Sequence, residues 1–270
     1  FVLASCSVTV PNATISFQNQ SQPGSQSSSI INGTPVTAEN PLAKSVVGIF
    51  SSFPVNGETV WTLDCTGTIL NEKFILTASH CIKGSNAENI LINFSLNSLS
   101  YEKQIDPATR VTDLEKNFVI RKVKSFKFHP QYLGGGDHDV AIILLQDAAP
   151  ADRTFVQLLP DQYLNLPYNR TTLDYQKLPV QLVGFGLFGE SPRVSSDVLR
   201  MTTVTAQFLD QFVITDQTHG TGGCNGDSGG PAFLDLDGKT YQVGVTHGPH
   251  ASSVTCGEEG EWVNPGFEKL

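Results

Sequence analysis

Three short segments of the chain hold residue types that can do chemistry together. In the first, Leu76-Thr77-Ala78-Ser79-His80-Cys81, a run of strand-forming residues ends in a small residue, a histidine and a cysteine. In the second, Asp137-His138-Asp139-Val140-Ala141-Ile142, a carboxylate enters a continuously apolar run. The third, Cys224-Asn225-Gly226-Asp227-Ser228-Gly229-Gly230-Pro231, sets one serine among glycines beside one aspartate. A serine hydroxyl is a poor nucleophile at neutral pH until a base accepts its proton. Histidine is the usual base, and a buried carboxylate on its other nitrogen orients it. The oxyanion that develops needs fixed backbone N–H donors. Glycines around Ser228 permit a tight turn that aims such donors outward and lets a substrate come close. His129, His138 and His219 lack comparable surroundings and read as structural or surface residues.

Strands must position these groups. From Ile30 onward, short runs rich in Val, Ile, Leu, Phe and Thr alternate with clusters of Gly, Pro, Asn and Asp. Residues 45–50, 68–77, 89–94, 119–128, 140–145, 180–185 and 241–246 are the clearest strand candidates. No long helical period is present. Many short strands separated by turn signals predict an all-β barrel or sandwich, and pattern alone does not choose between them. Residues 146–160, with Pro150 and few strand formers, read as a link between two halves.

The chain has 270 residues, with 17 Lys+Arg against 26 Asp+Glu and a formal net charge of −9. Such an acidic chain lacks the positive field that phosphate backbones attract, so nucleic acid is not an expected partner. No stretch of about 18 uninterrupted apolar residues would span a bilayer. Neither a phosphate loop nor a dinucleotide motif is legible, and no cofactor is expected. Short C-x-x-C or paired-histidine spacings are missing too, so no metal is expected. Four Asn-x-Ser/Thr matches, at Asn12, Asn32, Asn93 and Asn169, matter only in a eukaryotic secretory route.

The N-terminal part has a texture of its own. No Asp, Glu, Lys or Arg precedes Glu39, and residues 12–29 are mostly Ser, Gln, Asn and Thr. That composition reads as a flexible tether, because it cannot bury enough apolar surface to offset its ordering entropy. Ahead of it, Phe1-Val2-Leu3-Ala4-Ser5-Cys6 resembles the bacterial lipoprotein signal, in which the cysteine carries the lipid. An ordinary free cysteine in the tail of a secretory signal is the alternative. The lack of an initiator Met suggests a chain that starts inside a larger precursor.

Taken together, the motifs resemble those of chymotrypsin/trypsin-family serine endopeptidases. Thr77-Ala78-Ser79-His80-Cys81 stands where that family has Thr-Ala-Ala-His-Cys, and Asp139-Val140-Ala141-Ile142 where it has Asp-Ile-Ala-Leu. Gly226-Asp227-Ser228-Gly229-Gly230-Pro231 matches the nucleophile motif outright, and Ile30-Ile31-Asn32-Gly33 resembles the start of the active enzymes. The resemblance covers 30–270 and implies an all-β fold of two packed six-stranded antiparallel β-barrels with the active site in the cleft between them. The first barrel is expected at about 30–150 and the second at about 151–270, with 1–29 as signal remnant, tether and propeptide.

By that resemblance His80 is the general base and then acid. Asp139 orients it, in preference to Asp137, because Asp139 directly precedes the apolar strand. Ser228 attacks the scissile carbonyl, and the N–H groups of Gly226 and Ser228 form the oxyanion hole. Cys65 with Cys81, and Cys224 with Cys256, resemble two family disulfides, which leaves Cys6 unpaired. Two bridges also imply an oxidising, extracytoplasmic compartment. The resemblance further implies a zymogen: cleavage before Ile30 frees an amine that pairs with Asp227. Ser29 precedes that bond rather than Lys or Arg, so a trypsin-like activator is not expected and the activating protease is unidentified.

Gly222, six residues before Ser228, stands where trypsin-like members place the aspartate that binds basic side chains. Glu258, Glu259 and Glu261 could restore a carboxylate from the side. Thr246-His247-Gly248 resembles the segment that lines one pocket wall and binds substrate backbone. His247 stands where an apolar aromatic is commoner, and either replaces that wall or favours an acidic substrate side chain when protonated. Gly266 resembles the glycine that keeps the pocket deep. Two features depart from the family: a C-terminal helix and a third disulfide, within the second barrel, are not legible. Polypeptides are the expected substrates and a monomer the expected state. The competing function is a protease-like binding module or surface lipoprotein without activity; the first would show a broken triad, and the second leaves three motifs unexplained.

Overall fold

The computed structural model describes residues 30–99, 110–160, 163–165, 170–171, 176–190, 193–195, 197–209, 212–217, 220–249, 256 and 260–263. After a two-residue strand, β1 (Thr34–Pro35), the chain builds β2 (Val46–Val55), β3 (Glu58–Ile69), β4 (Phe74–Thr77), β5 (Ile90–Asn93), β6 (Ile120–Phe128) and β7 (Ala141–Leu145). Those six close into a barrel in the order β2-β3-β4-β7-β6-β5. Local chemistry sets the turns. Asn56 and Gly57 join β2 to β3 with φ of 52° and 86°, the left-handed pair that a two-residue hairpin requires. Between β3 and β4, Asn71 Oδ1 accepts the N–H groups of Lys73 and Phe74 at 2.9 and 3.0 Å. That turn splits the continuous run expected over 68–77 into two paired strands.

The second half carries two short hairpins, β8 (Leu164–Asn165) with β9 (Arg170–Thr171) and β11 (Leu187–Glu190) with β12 (Arg193–Ser195). Its main strands are β10 (Lys177–Gly184), β13 (Arg200–Leu209), β14 (Phe212–Asp216), β15 (Pro231–Leu236), β16 (Lys239–Pro249) and β17 (Gly260–Val263). They pair in the order β13-β10-β15-β16-β17-β14, and a β13–β14 pairing completes the ring, with β1 added outside β13. A single α-helix, Val111–Asn117, lies among the described residues and packs on the barrel through Leu114. It was not legible in the sequence because seven residues give barely two turns of period.

Alternation of β-branched side chains fills the first barrel, where Ile49, Ile69, Ile75, Ile92 and Ile143 are fully buried. A separate core around Val180, Val204, Phe208, Val213 and Val243 fills the second. Between them, Phe50, Trp61 and Leu91 meet Val183, Phe185 and Phe233 in one apolar cluster. Each such side chain contributes roughly 1.5–3 kcal/mol when fully buried, so the two halves are held in register. Asn93 is buried in β5, donating to the carbonyl of Asn97, and is no glycosylation acceptor.

Candidate active site

His80 follows β4, and Asp139 precedes β7. These two strands are paired, Thr77 opposite Ala141, so residues 59 positions apart meet at one end of the barrel. The backbone N–H of His80 donates to Asp139 Oδ1 at 2.9 Å, and His80 Nδ1 meets Oδ2 at 2.5 Å. Asp139 is fully buried, whereas the His80 side chain is 33% exposed. Its loop is braced on both sides. Ser79 Oγ and the N–H of His129 both donate to the Val140 carbonyl, at 2.6 and 2.9 Å. His129 and His138 stack with ring centroids 4.6 Å apart, and His138 itself has φ of 57°. Both histidines therefore shape the turn that presents Asp139.

His247 was expected in a pocket wall, and the structure gives it a further contact. Its Nδ1 also meets Asp139 Oδ2 at 2.5 Å, with its ring edge-on to His80 at 5.7 Å. A break in register between Thr246 and Gly248, where β16 pairs with β17, frees His247 from the regular alternation. Thr246 points elsewhere, its hydroxyl donating to the carbonyl of Gly230 at 3.0 Å. Burial pushes the Asp139 carboxyl up, but the hydrogen bonds from His247 and His80 outweigh it and hold the group at about 2.

Ser228 lies between two left-handed glycines, Gly226 with φ of 97° and Gly229 with φ of 77°. The loop is pinned to the first barrel: the Thr66 N–H donates to the Ser228 carbonyl at 2.8 Å and Thr66 Oγ1 to that of Gly226 at 2.9 Å. From the other side Gly229 N–H donates to the Thr246 carbonyl at 2.8 Å. A Cβ at Gly229 would fall 2.1 Å from Thr77 Oγ1 and 2.9 Å from Ala78 N, which shows how closely this loop abuts the segment leading to His80. The N–H groups of Asp227 and Gly230 bond within the loop. Those of Gly226 and Ser228 have no acceptor among the described residues. No hydrogen bond among the described residues joins Ser228 Oγ to His80, whose Nε2 lies 3.9 Å from Cys81 Sγ.

Asp227 is buried under this loop. Its carboxylate accepts from Gly186 N–H at 2.8 Å and Cys224 N–H at 2.9 Å. Burial nevertheless pushes its carboxyl up to about 7. Ile30 is 1% exposed, in the second core, with φ of 38°. Ile31 beside it exchanges backbone hydrogen bonds with Gly222. Gly222 has no room for a side chain, because a Cβ there would meet Gln217 Oε1. Cys65 bonds to Cys81 and Cys224 to Cys256, the pairings that the resemblance implied. Cys6, Gly266, Glu258, Glu259 and His219 lie outside the described residues, as does the side chain of Glu261.

Residues 50–261 match the family model described as Trypsin. Chymotrypsin of Phaedon cochleariae is 27% identical over 191 residues, covering 66% of this chain and 61% of that protein. Brachyurin of Leptuca pugilator is 28% identical over 191 residues, 66% of this chain and 74% of that protein. Coagulation factor IX of Oryctolagus cuniculus is 26% identical over 194 residues, 67% and 64% respectively. The chain thus spans about three fifths of the length of the first of these relatives.

Proposed function

The chain belongs to the trypsin family, and on that premise we propose that it is a serine endopeptidase that cleaves polypeptides through an acyl-enzyme intermediate. His80 takes the proton from Ser228 Oγ as that oxygen attacks the scissile carbonyl. Asp139 holds the proton-bearing Nδ1 and stabilises the imidazolium. The carbonyl oxygen gains negative charge beside the N–H groups of Gly226 and Ser228, where a lost donor typically costs about 100- to 1000-fold in turnover. The imidazolium then protonates the leaving amine, and water repeats the sequence on the ester. The observation that carries this reading is the two-point grip of one fully buried carboxylate on His80. Among the described residues the free chain lacks the hydrogen bond from Ser228 Oγ to His80, which in such sites commonly forms only when substrate binds.

Production as a zymogen cut before Ile30 fits two features. A β-branched residue with φ of 38° is strained, and severing the preceding bond relieves that strain. The freed ammonium would give Asp227 the counter-charge that its buried carboxylate needs. With no acid at Gly222, the pocket is read as unsuited to basic side chains. The enzyme acts outside the cytoplasm, as a monomer, either released or held to a membrane by lipid on Cys6. A fluorophosphonate should label the chain beginning at Ile30 in a one-to-one ratio, and Ser228→Ala should abolish labelling with an unchanged far-ultraviolet spectrum. Labelling that survives this substitution overturns the assignment.

A further inference from the structure

We propose that His80, Asp139 and His247 form a binding site for Zn²⁺, and that the bound ion switches the peptidase off. The binding half stands on the geometry alone; the inhibitory half rests on the reading of His80 as the base.

Two imidazole nitrogens and one carboxylate oxygen are a ligand set that zinc takes in sites with an open fourth position. Here the two Nδ1 atoms each meet the same oxygen, Asp139 Oδ2, and the ligand atoms all lie within 4.8 Å of one another. Zinc bonds of about 2.0–2.2 Å require the two rings to draw back from Oδ2 by less than about 1 Å. They can do so, because the His80 and His247 side chains are 33% and 26% exposed. Asp139 cannot follow them: the His80 N–H fixes Oδ1 at 2.9 Å, the kind of outer contact that orients a ligating carboxylate. The exposed side of the two rings leaves the fourth position to water. A neighbouring trio, Cys65, His80 and Cys81, offers no such site, since both sulfurs are in a disulfide.

Inhibition follows from proton bookkeeping on one ring. Zinc occupies the Nδ1 lone pair of neutral His80, so the ring's single proton sits on Nε2. That nitrogen then has no lone pair with which to accept the Ser228 proton. The same ion takes over the carboxylate that would stabilise an imidazolium. Nothing is oxidised or cleaved, so chelation restores the enzyme.

The test uses the full chain carrying Ser228→Ala, which removes no ligand and prevents self-digestion. Titration with Co²⁺ should give one four-coordinate cobalt spectrum per chain, displaced by Zn²⁺. Adding His247→Phe should weaken Zn²⁺ binding, read by calorimetry, at least about tenfold. His247→Gln, which keeps an N–H donor for Asp139 but offers no imidazole, should show the same loss. In the chain beginning at Ile30 with Ser228 intact, Zn²⁺ should inhibit peptide hydrolysis with a midpoint at its binding constant, and EDTA should reverse it. Each His247 variant, measured against its own uninhibited rate, should need correspondingly more zinc. No stoichiometric binding, or equal binding in the His247 variants, overturns the site. Binding without inhibition overturns the switch. Failure of fluorophosphonate labelling beside intact Co²⁺ binding would strike the peptidase reading and leave the metal site standing.

Discussion

At the scale of single residues, Asp139 carries the most interactions in the site. Three N–H groups converge on a carboxylate that water does not reach, and they make its ionised form the stable one. Asp139→Asn keeps the size but puts an N–H₂ where an acceptor is needed, which turns His80 to the wrong tautomer. We expect turnover to fall by about 10⁴-fold with little change in thermal midpoint, measured on a peptide amide substrate. His80, Asp139 and Ser228 could be singled out in the sequence because each sits inside a contiguous motif. The contact of His247 could not. It depends on a break in strand register between Thr246 and Gly248, and on the approach of β16 to the loop before β7, from residues 108 positions apart. One signal was present, a polar ring where an apolar one is commoner, but it pointed as well to the substrate as to the carboxylate.

At the scale of elements, close approach between loop and strand holds Ser228 in place. Gly229 combines a left-handed φ with contacts to Thr77 and Thr66 that leave no space for a methyl group. Gly238, in the β15–β16 turn, has φ of 74° and nothing within 4 Å of its absent Cβ. Gly229→Ala should therefore cost about 2–5 kcal/mol, strain plus overpacking, and move Ser228 off its station. Gly238→Ala should cost only about 1 kcal/mol of strain and leave hydrolysis unchanged. Urea midpoints and initial rates of the two variants check both halves. Asn56-Gly57 and Asp237-Gly238 form hairpin turns with left-handed φ at both residues, the pairs such turns favour. Strands β13, β14, β15 and β17 were not among the candidates; of these, β14 and β17 are four or five residues paired at the barrel's closing seam and carry little alternation of their own.

At the scale of the whole molecule, the buried carboxylate of Asp227 links proton binding to stability, and on the proposed zymogen reading to cleavage as well. In the folded, uncut chain burial pushes its carboxyl up to about 7, against the hydrogen bonds from Cys224 and Gly186. In the unfolded chain it titrates near 3.9. Between those values the native state holds a proton that the unfolded state has lost, so stability declines as pH rises from about 4 to 7. Above that window both states are ionised and this contribution is flat. Once Ile30 supplies an ammonium, the native carboxylate no longer needs the proton and the decline should shrink. Urea unfolding at pH 5 and pH 7.5 checks this in three proteins: the intact chain, the chain beginning at Ile30, and intact Asp227→Asn. Relative to Asp227→Asn, the intact chain should lose on the order of 2 kcal/mol between the two pH values, and the processed chain clearly less. Equal slopes in all three would mean that Asp227 neither stores this cost nor is relieved of it by a new N-terminus.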